Sequence, residues 1–194
     1  MSLNVLGVSA SMRPESRGAL ALEIALAAAR RHGGLTQTLN LRLMDVPLYR
    51  PNAGSTTALQ QMNQAVTWAN AFVLATPDYH GSMSGAMKNF LDYHHREFSG
   101  KLFGYLCTSH EKGLTPMSHM RSAVRQCYGW SLPYGLCIHP DEDFDAQGQL
   151  KNPRLVSRLA MLGRDLVVYG QMIWEQFQRD LASTEQETFA AKYR

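Results

Sequence analysis

The chain has 194 residues, enough for one sizeable domain around a single core. Hydrophobic residues at 45% against charged residues at 18% exclude a disordered segment. A formal net charge of +3 with no basic block argues against a nucleic-acid partner.

The first predicted element is a short buried strand, NVLGVSA. Gly18 to His32 carries Leu20, Ile24, Ala27 and Ala28 at the spacing of one helix face, and Gly33-Gly34 ends it. LTQTLNLRL alternates apolar and polar residues and reads as a second strand at an edge. A loop with Pro47, Pro51 and Gly54 leads to a helix over Thr57 to Ala69, capped by Thr56 or Thr57. AFVLATP is a third strand, stopped by Pro77, and a helix runs from about Ser84 to His95. KLFGYLCTS is a fourth strand, Thr115 to Cys127 a helix and LPYGLCIH a fifth strand. From about Pro153 the chain is helical into the 180s.

Strands and helices alternate throughout, with no internal repeat. That rhythm implies one α/β domain over residues 1–194: a doubly wound, five-stranded parallel sheet with helices on both faces. The order 2-1-3-4-5 follows, with a ligand beyond the strand carboxyl ends at the β1/β3 switch point. The helix continues as an extension from about residue 170. There Trp174 and Phe177 lie past the expected core, which predicts an oligomer contact. No run nears the ~18 apolar residues of a membrane span. The N-terminus lacks the pattern of a signal peptide. Cys107, Cys127 and Cys137 have no C-x-x-C spacing, so free thiols in a reducing, cytoplasmic compartment are expected.

The loops at the switch point have unusual compositions. VSASMRPESR holds Ser11, Arg13 and Ser16 at the start of a helix, whose free amides and partial positive charge suit an anion. Neither G-x-G-x-x-G nor the P-loop pattern is present, so the loop suits a terminal monophosphate held by hydroxyls. In TPDYHGSMSGAMKNFLDY, Gly81 and Gly85 permit close backbone approach and Tyr79 offers an aromatic flank for a planar heterocycle.

SASMRPES resembles the G-S-x-R-x-x-S phosphate loop of the NADPH-dependent FMN reductases, which are flavodoxin-like flavoproteins. TPDYHGSMSGAMKNFLDY resembles their P-E-Y-N-x-S-x-x-G-x-L-K-N-x-[IL]-D segment. Ala10, Asp78 and His80 stand where the family pattern has Gly, Glu and Asn, and Ser84 stands where a proline is common. The resemblance implies FMN as cofactor. Ser11, Arg13, Ser16, Arg17 and Gly18 would lie at its phosphate. Pro77, Asp78, Tyr79, His80, Gly81, Ser82, Ser109 and His110 would lie around its ring. It also implies an oxidoreductase in which NADPH or NADH delivers a hydride through FMN to a flavin, quinone or similar small-molecule acceptor. A homodimer or homotetramer is implied as well. No protein side chain is required as the redox centre; His80 and His110 are candidates for supplying a proton. The alternative is a flavodoxin-like electron carrier or flavin-bound regulatory module without steady turnover.

Two other chemistries are weaker. Ser82 or Ser84 near His80 and Asp78 lacks the G-x-S-x-G elbow of a serine hydrolase. His94 and His95, adjacent on a helix, do not share a face as metal ligands would, so no metal is expected.

Overall fold

A computed structural model describes residues 2–52 and 54–194 of the chain. Its centre is a parallel sheet built from β1 (Asn4–Ser9), β2 (Leu35–Asn40), β3 (Ala71–Pro77), β4 (Leu102–Thr108) and the short strands β5 (Trp130–Ser131) and β6 (Leu136–Ile138). The order is β2-β1-β3-β4-β5, with β6 also pairing β4, so the flavodoxin-like order expected from the rhythm of the chain is found. The central strands β1, β3 and β4 are apolar on both faces because helices cover both. β2 lies at the edge and is largely exposed, with only Leu39 buried.

The helices are α1 (Arg17–Arg31), α2 (Thr57–Trp68), α3 (Gly85–Asp92), α4 (Leu114–Gln126) and α5 (Pro153–Ala182). One core layer holds Met62, Val66, Met87, Phe90 and Met120 against Phe72, Phe103 and Tyr105 of the sheet. The other holds α1 and α5 against Val5, Val73 and Leu106. Alanines at 21, 25, 28 and 29 let α1 approach α5 closely. At Gly163 of α5 an added Cβ would run into the Ala25 carbonyl. No helix among the described residues is long and apolar enough to cross a membrane.

Four details differ from the sequence reading. β2 ends at Asn40, whose side chain accepts from the Arg42 amide and starts a 3-10 turn over Leu41–Leu43. The fifth strand is divided: Pro133, lacking an N–H, lies between the two stretches that pair with β4. α3 stops at Asp92, before a 3-10 turn over Arg96–Phe98 that carries Phe98 into the core beside Phe72 and Phe103. Phe177 is buried within the chain, stacked on Phe189 and close to Tyr193 of a C-terminal 3-10 helix. Trp174 packs on the core behind it. These two aromatics therefore do not form an open contact surface.

Candidate cofactor site

A cleft of about 360 Å³ opens at the carboxyl ends of β1, β3 and β4, within the usual range for small-ligand sites. Three loops make most of its walls, and Pro140 in the loop after β6 completes them. The first joins β1 to α1 and contributes Ser11, Arg13, Glu15, Ser16 and Arg17. Ser16 is the N-cap of α1: its Oγ accepts from the Ala19 amide at 3.2 Å, which leaves the O–H free to donate outward. Ser11 Oγ accepts from the Arg13 amide at 3.3 Å and also retains its O–H. The amides of Arg17 and Gly18 lie in the first helical turn and have no intrahelical acceptor.

The Arg17 side chain is drawn away from this helix start. Its Nη1 donates to the Gly148 carbonyl at 3.0 Å, and its guanidinium lies over the Phe144 ring. Gly18 is outside the cleft lining; a Cβ there would meet Thr108 Oγ1 at 2.7 Å. Its smallness therefore lets the start of α1 sit against the end of β4.

The second loop follows β3. Tyr79 and Ser82 exchange both backbone hydrogen bonds around His80-Gly81, and both central residues have positive φ, as a type I′ turn requires. Asp78 fixes this turn: its carboxylate accepts from the Gly81 amide at 2.9 Å and from Ser109 Oγ at 2.9 Å. One carboxylate thus ties the β3 loop to the loop after β4. A Cβ at Gly81 would enter open space, so the tip of the turn is uncovered. Ser82 does not line this cleft. It lies in a neighbouring hollow, where its Oγ is 3.0 Å from His119 Nδ1 on α4. Ser84 caps α3 and donates to the Ala10 carbonyl at 3.0 Å, stapling the first loop to the second.

The third loop brings Thr108, Ser109, His110 and Glu111. The Ser109 amide donates to the Ile138 carbonyl, which sets the loop against the end of β6. Eleven of the thirteen residues expected at a cofactor therefore share one cleft, with Gly18 and Ser82 outside its lining. Thr108, Glu111, Glu15 and Pro140 line it too. The sequence reading did not single these out as ligands; Thr108 and Glu111 flank Ser109-His110 and could have been found from that adjacency.

The donor chemistry suits a phosphomonoester. Ser11, Arg13, Ser16 and Arg17 line the β1 end of the cleft, with Glu15 as the one carboxylate of that loop. The thiols show no activation. Cys107 and Cys137 are register partners on β4 and β6, but all three cysteines are free. Burial pushes the Cys107 thiol up to about 12 and raises Cys137, so both are protonated near neutral pH.

Comparison with known proteins points the same way. The family model for NADPH-dependent FMN reductase matches residues 3–140. An NAD(P)H-dependent FMN reductase of Pseudomonas aeruginosa is 29% identical over 162 residues, covering 76% of this chain and 84% of the relative. An FMN-dependent NADPH-azoreductase of Staphylococcus saprophyticus is 38% identical over 90 residues, 44% of this chain and 46% of that one. Among solved structures, a flavoenzyme NAD(P)H:(acceptor) oxidoreductase from Paracoccus denitrificans superposes with a TM-score of 0.73. It is 16% identical, and the match covers 88% of this chain and 98% of that one, which supports the shared fold.

Proposed function

Because the chain belongs to the NADPH-dependent FMN reductase family, we propose that its cleft holds FMN and that the protein is an FMN-dependent NAD(P)H oxidoreductase for a small-molecule acceptor. One observation carries the reading: an anion-binding helix start and an uncovered, bonded turn face each other across the β1/β3 switch point. FMN, when bound, supplies two-electron transfer between a reduced pyridine nucleotide and an acceptor.

The chain's own residues bind and orient. Ser11 Oγ, Ser16 Oγ, the Arg13 guanidinium and the Arg17 amide would hold the phosphate. Arg17 contributes its amide and positive field, since its guanidinium is engaged with Gly148 and Phe144. Pro77 to Gly81 and Ser109 would border the ring system, in a frame braced by Asp78. His80 and His110 are the groups that can exchange a proton with an acceptor; Nδ1 of His110 is 3.4 Å from Asp141 Oδ2, which leaves Nε2 for that exchange.

The same proposal takes residues 1–194 as one FMN-binding domain and places it in the cytoplasm, in keeping with three free thiols. Assembly as a homodimer or homotetramer also belongs to it. It is supported by Met161, Tyr169 and Met172, exposed along α5, in place of Trp174 and Phe177. Light scattering after size exclusion tests this, with a single 21.7 kDa particle as the contrary result.

Anaerobic mixing of the FMN-loaded protein with NADPH or NADH tests the function. The flavin absorbance near ~450 nm should bleach in one turnover and return on adding a quinone. A flavin that stays oxidised with both nucleotides in excess overturns the reductase reading and leaves the electron carrier.

A further inference from the structure

The loops after β4 and β6 bring together three metal-ligating side chains that are far apart in sequence. His110 comes from the first loop, His139 and Asp141 from the second; one donor atom of each lies within 4.8 Å of the other two. His110 Nδ1 and Asp141 Oδ2 are 3.4 Å apart. The imidazoles of His110 and His139 meet edge to face, with centroids 5.4 Å apart. A tetrahedral ion with bonds of about 2.0–2.1 Å spaces its donors by roughly 3.3 Å. One edge of such a polyhedron is therefore already set. The others close by rotation of His110 and Asp141, both exposed.

We propose that His110, His139 and Asp141 form a binding site for a divalent transition metal ion of the zinc class. Two imidazoles and one carboxylate select such an ion over magnesium or calcium, which prefer oxygen alone. The backbone beneath the donors is fixed. The Ser109 amide donates to Ile138, and the His139 amide donates to Asp143 Oδ2 at 2.7 Å. Asp143 is itself buried and held by Asn152. Glu142, 3.8 Å from His139 Nε2, is a spare carboxylate beside the site. The cost is one exposed hydrogen bond, because His139 Nδ1 now accepts from the Glu142 amide and ligation through either nitrogen gives that up.

The site shares His110 with the cleft. An ion there would occupy a lone pair of that imidazole, so metal occupancy and proton exchange at His110 exclude each other. It would also pin the β4 loop to the β6 loop.

The test is calorimetric titration of Zn²⁺ into the flavin-loaded protein after chelator treatment, with Co²⁺ difference absorption in parallel. The expected result is saturable binding of one ion per chain, weakened about tenfold or more in both His110→Ala and Asp141→Asn. At metal about a hundredfold above Kd, Tm should rise by roughly 5 °C or more in the parent chain. Both substitutions fall on exposed loop positions, and unchanged melting without metal shows that the variants are folded. Absent saturable binding, or binding that survives both substitutions, overturns the proposal. So does a thiolate charge-transfer band with Co²⁺, which would move the ion to a cysteine.

Discussion

Ser16 has two roles that a pair of substitutions can separate. Its Oγ accepts from the Ala19 amide and caps α1, and its O–H remains to donate toward the cleft. Ser16→Ala removes both. Loss of the cap costs about 1 kcal/mol, a Tm drop of roughly 2–4 °C for a chain of this size. Loss of a hydrogen bond to a charged phosphate costs about 1.5–3 kcal/mol, a tenfold to hundredfold weaker Kd. Ser16→Asp restores the acceptor for Ala19, so stability should return to within about 0.5 kcal/mol of the parent. Its carboxylate, however, would face the phosphate. Two like charges ~4 Å apart near a protein surface repel by about 4 kcal/mol, so FMN affinity should fall further than in the alanine variant. Thermal melts of the apoprotein read the first effect, and quenching of flavin fluorescence on titration reads the second. If Ser16→Asp binds FMN as tightly as the parent, the phosphate is not at this helix start and the site assignment is wrong.

Arg13→Ala should weaken FMN by about 1.5–3 kcal/mol while leaving riboflavin affinity unchanged, since the guanidinium would meet only the phosphate; equal losses for both ligands count against the assignment. His94 is buried between Phe90 and Phe98, and burial pushes its pKa down to about 4. The unfolded chain binds that proton at about 6.5. His94 therefore favours folding above that pH, and about 3 kcal/mol is lost as pH falls toward 4. Urea unfolding should show this slope in the parent and a shallower one in His94→Gln. Gly100 has φ +73°, and a Cβ there would run into the Phe177 ring; Gly100→Ala should destabilise by about 2–4 kcal/mol, read as a lowered denaturation midpoint.

The sheet order and the loops of the cleft were legible because both follow from local signals. Apolar runs, Pro77, and the serines and arginines of VSASMRPESR are contiguous in the chain, and the switch-point rule turns their order into a place. Partnerships across long separations were not legible. Asp78 bonds Ser109, and Ser82 meets His119 across a hollow beside the cleft. No periodicity announces either pair. The same holds for His110 beside His139 and Asp141, where no single segment has ligand spacing. Phe177 was misplaced because its burial depends on a short tail, Phe189–Tyr193, that folds back over the end of α5. The paired piece Trp130–Ser131 was missed because it precedes the apolar run LPYGLCIH, of which only Leu136–Ile138 pairs with β4.

The close approach of α1 and α5 bears on where this protein could be cut. The family match ends at residue 140, and α5 begins at Pro153. Yet Leu155, Leu159, Leu162, Leu166 and Val167 of α5 are buried in the core layer beneath α1. Five such side chains at about 1.5–3 kcal/mol each contribute roughly 8–15 kcal/mol, the scale of a domain's entire net stability. The segment matched by the family model is therefore smaller than the cooperative unit. A chain ended at residue 140 would retain every residue lining the cleft but sever the loop after β6 and lose the layer that holds α1 in place. Its helix start would no longer be fixed, and the protein would lose its cleft by melting from the opposite side.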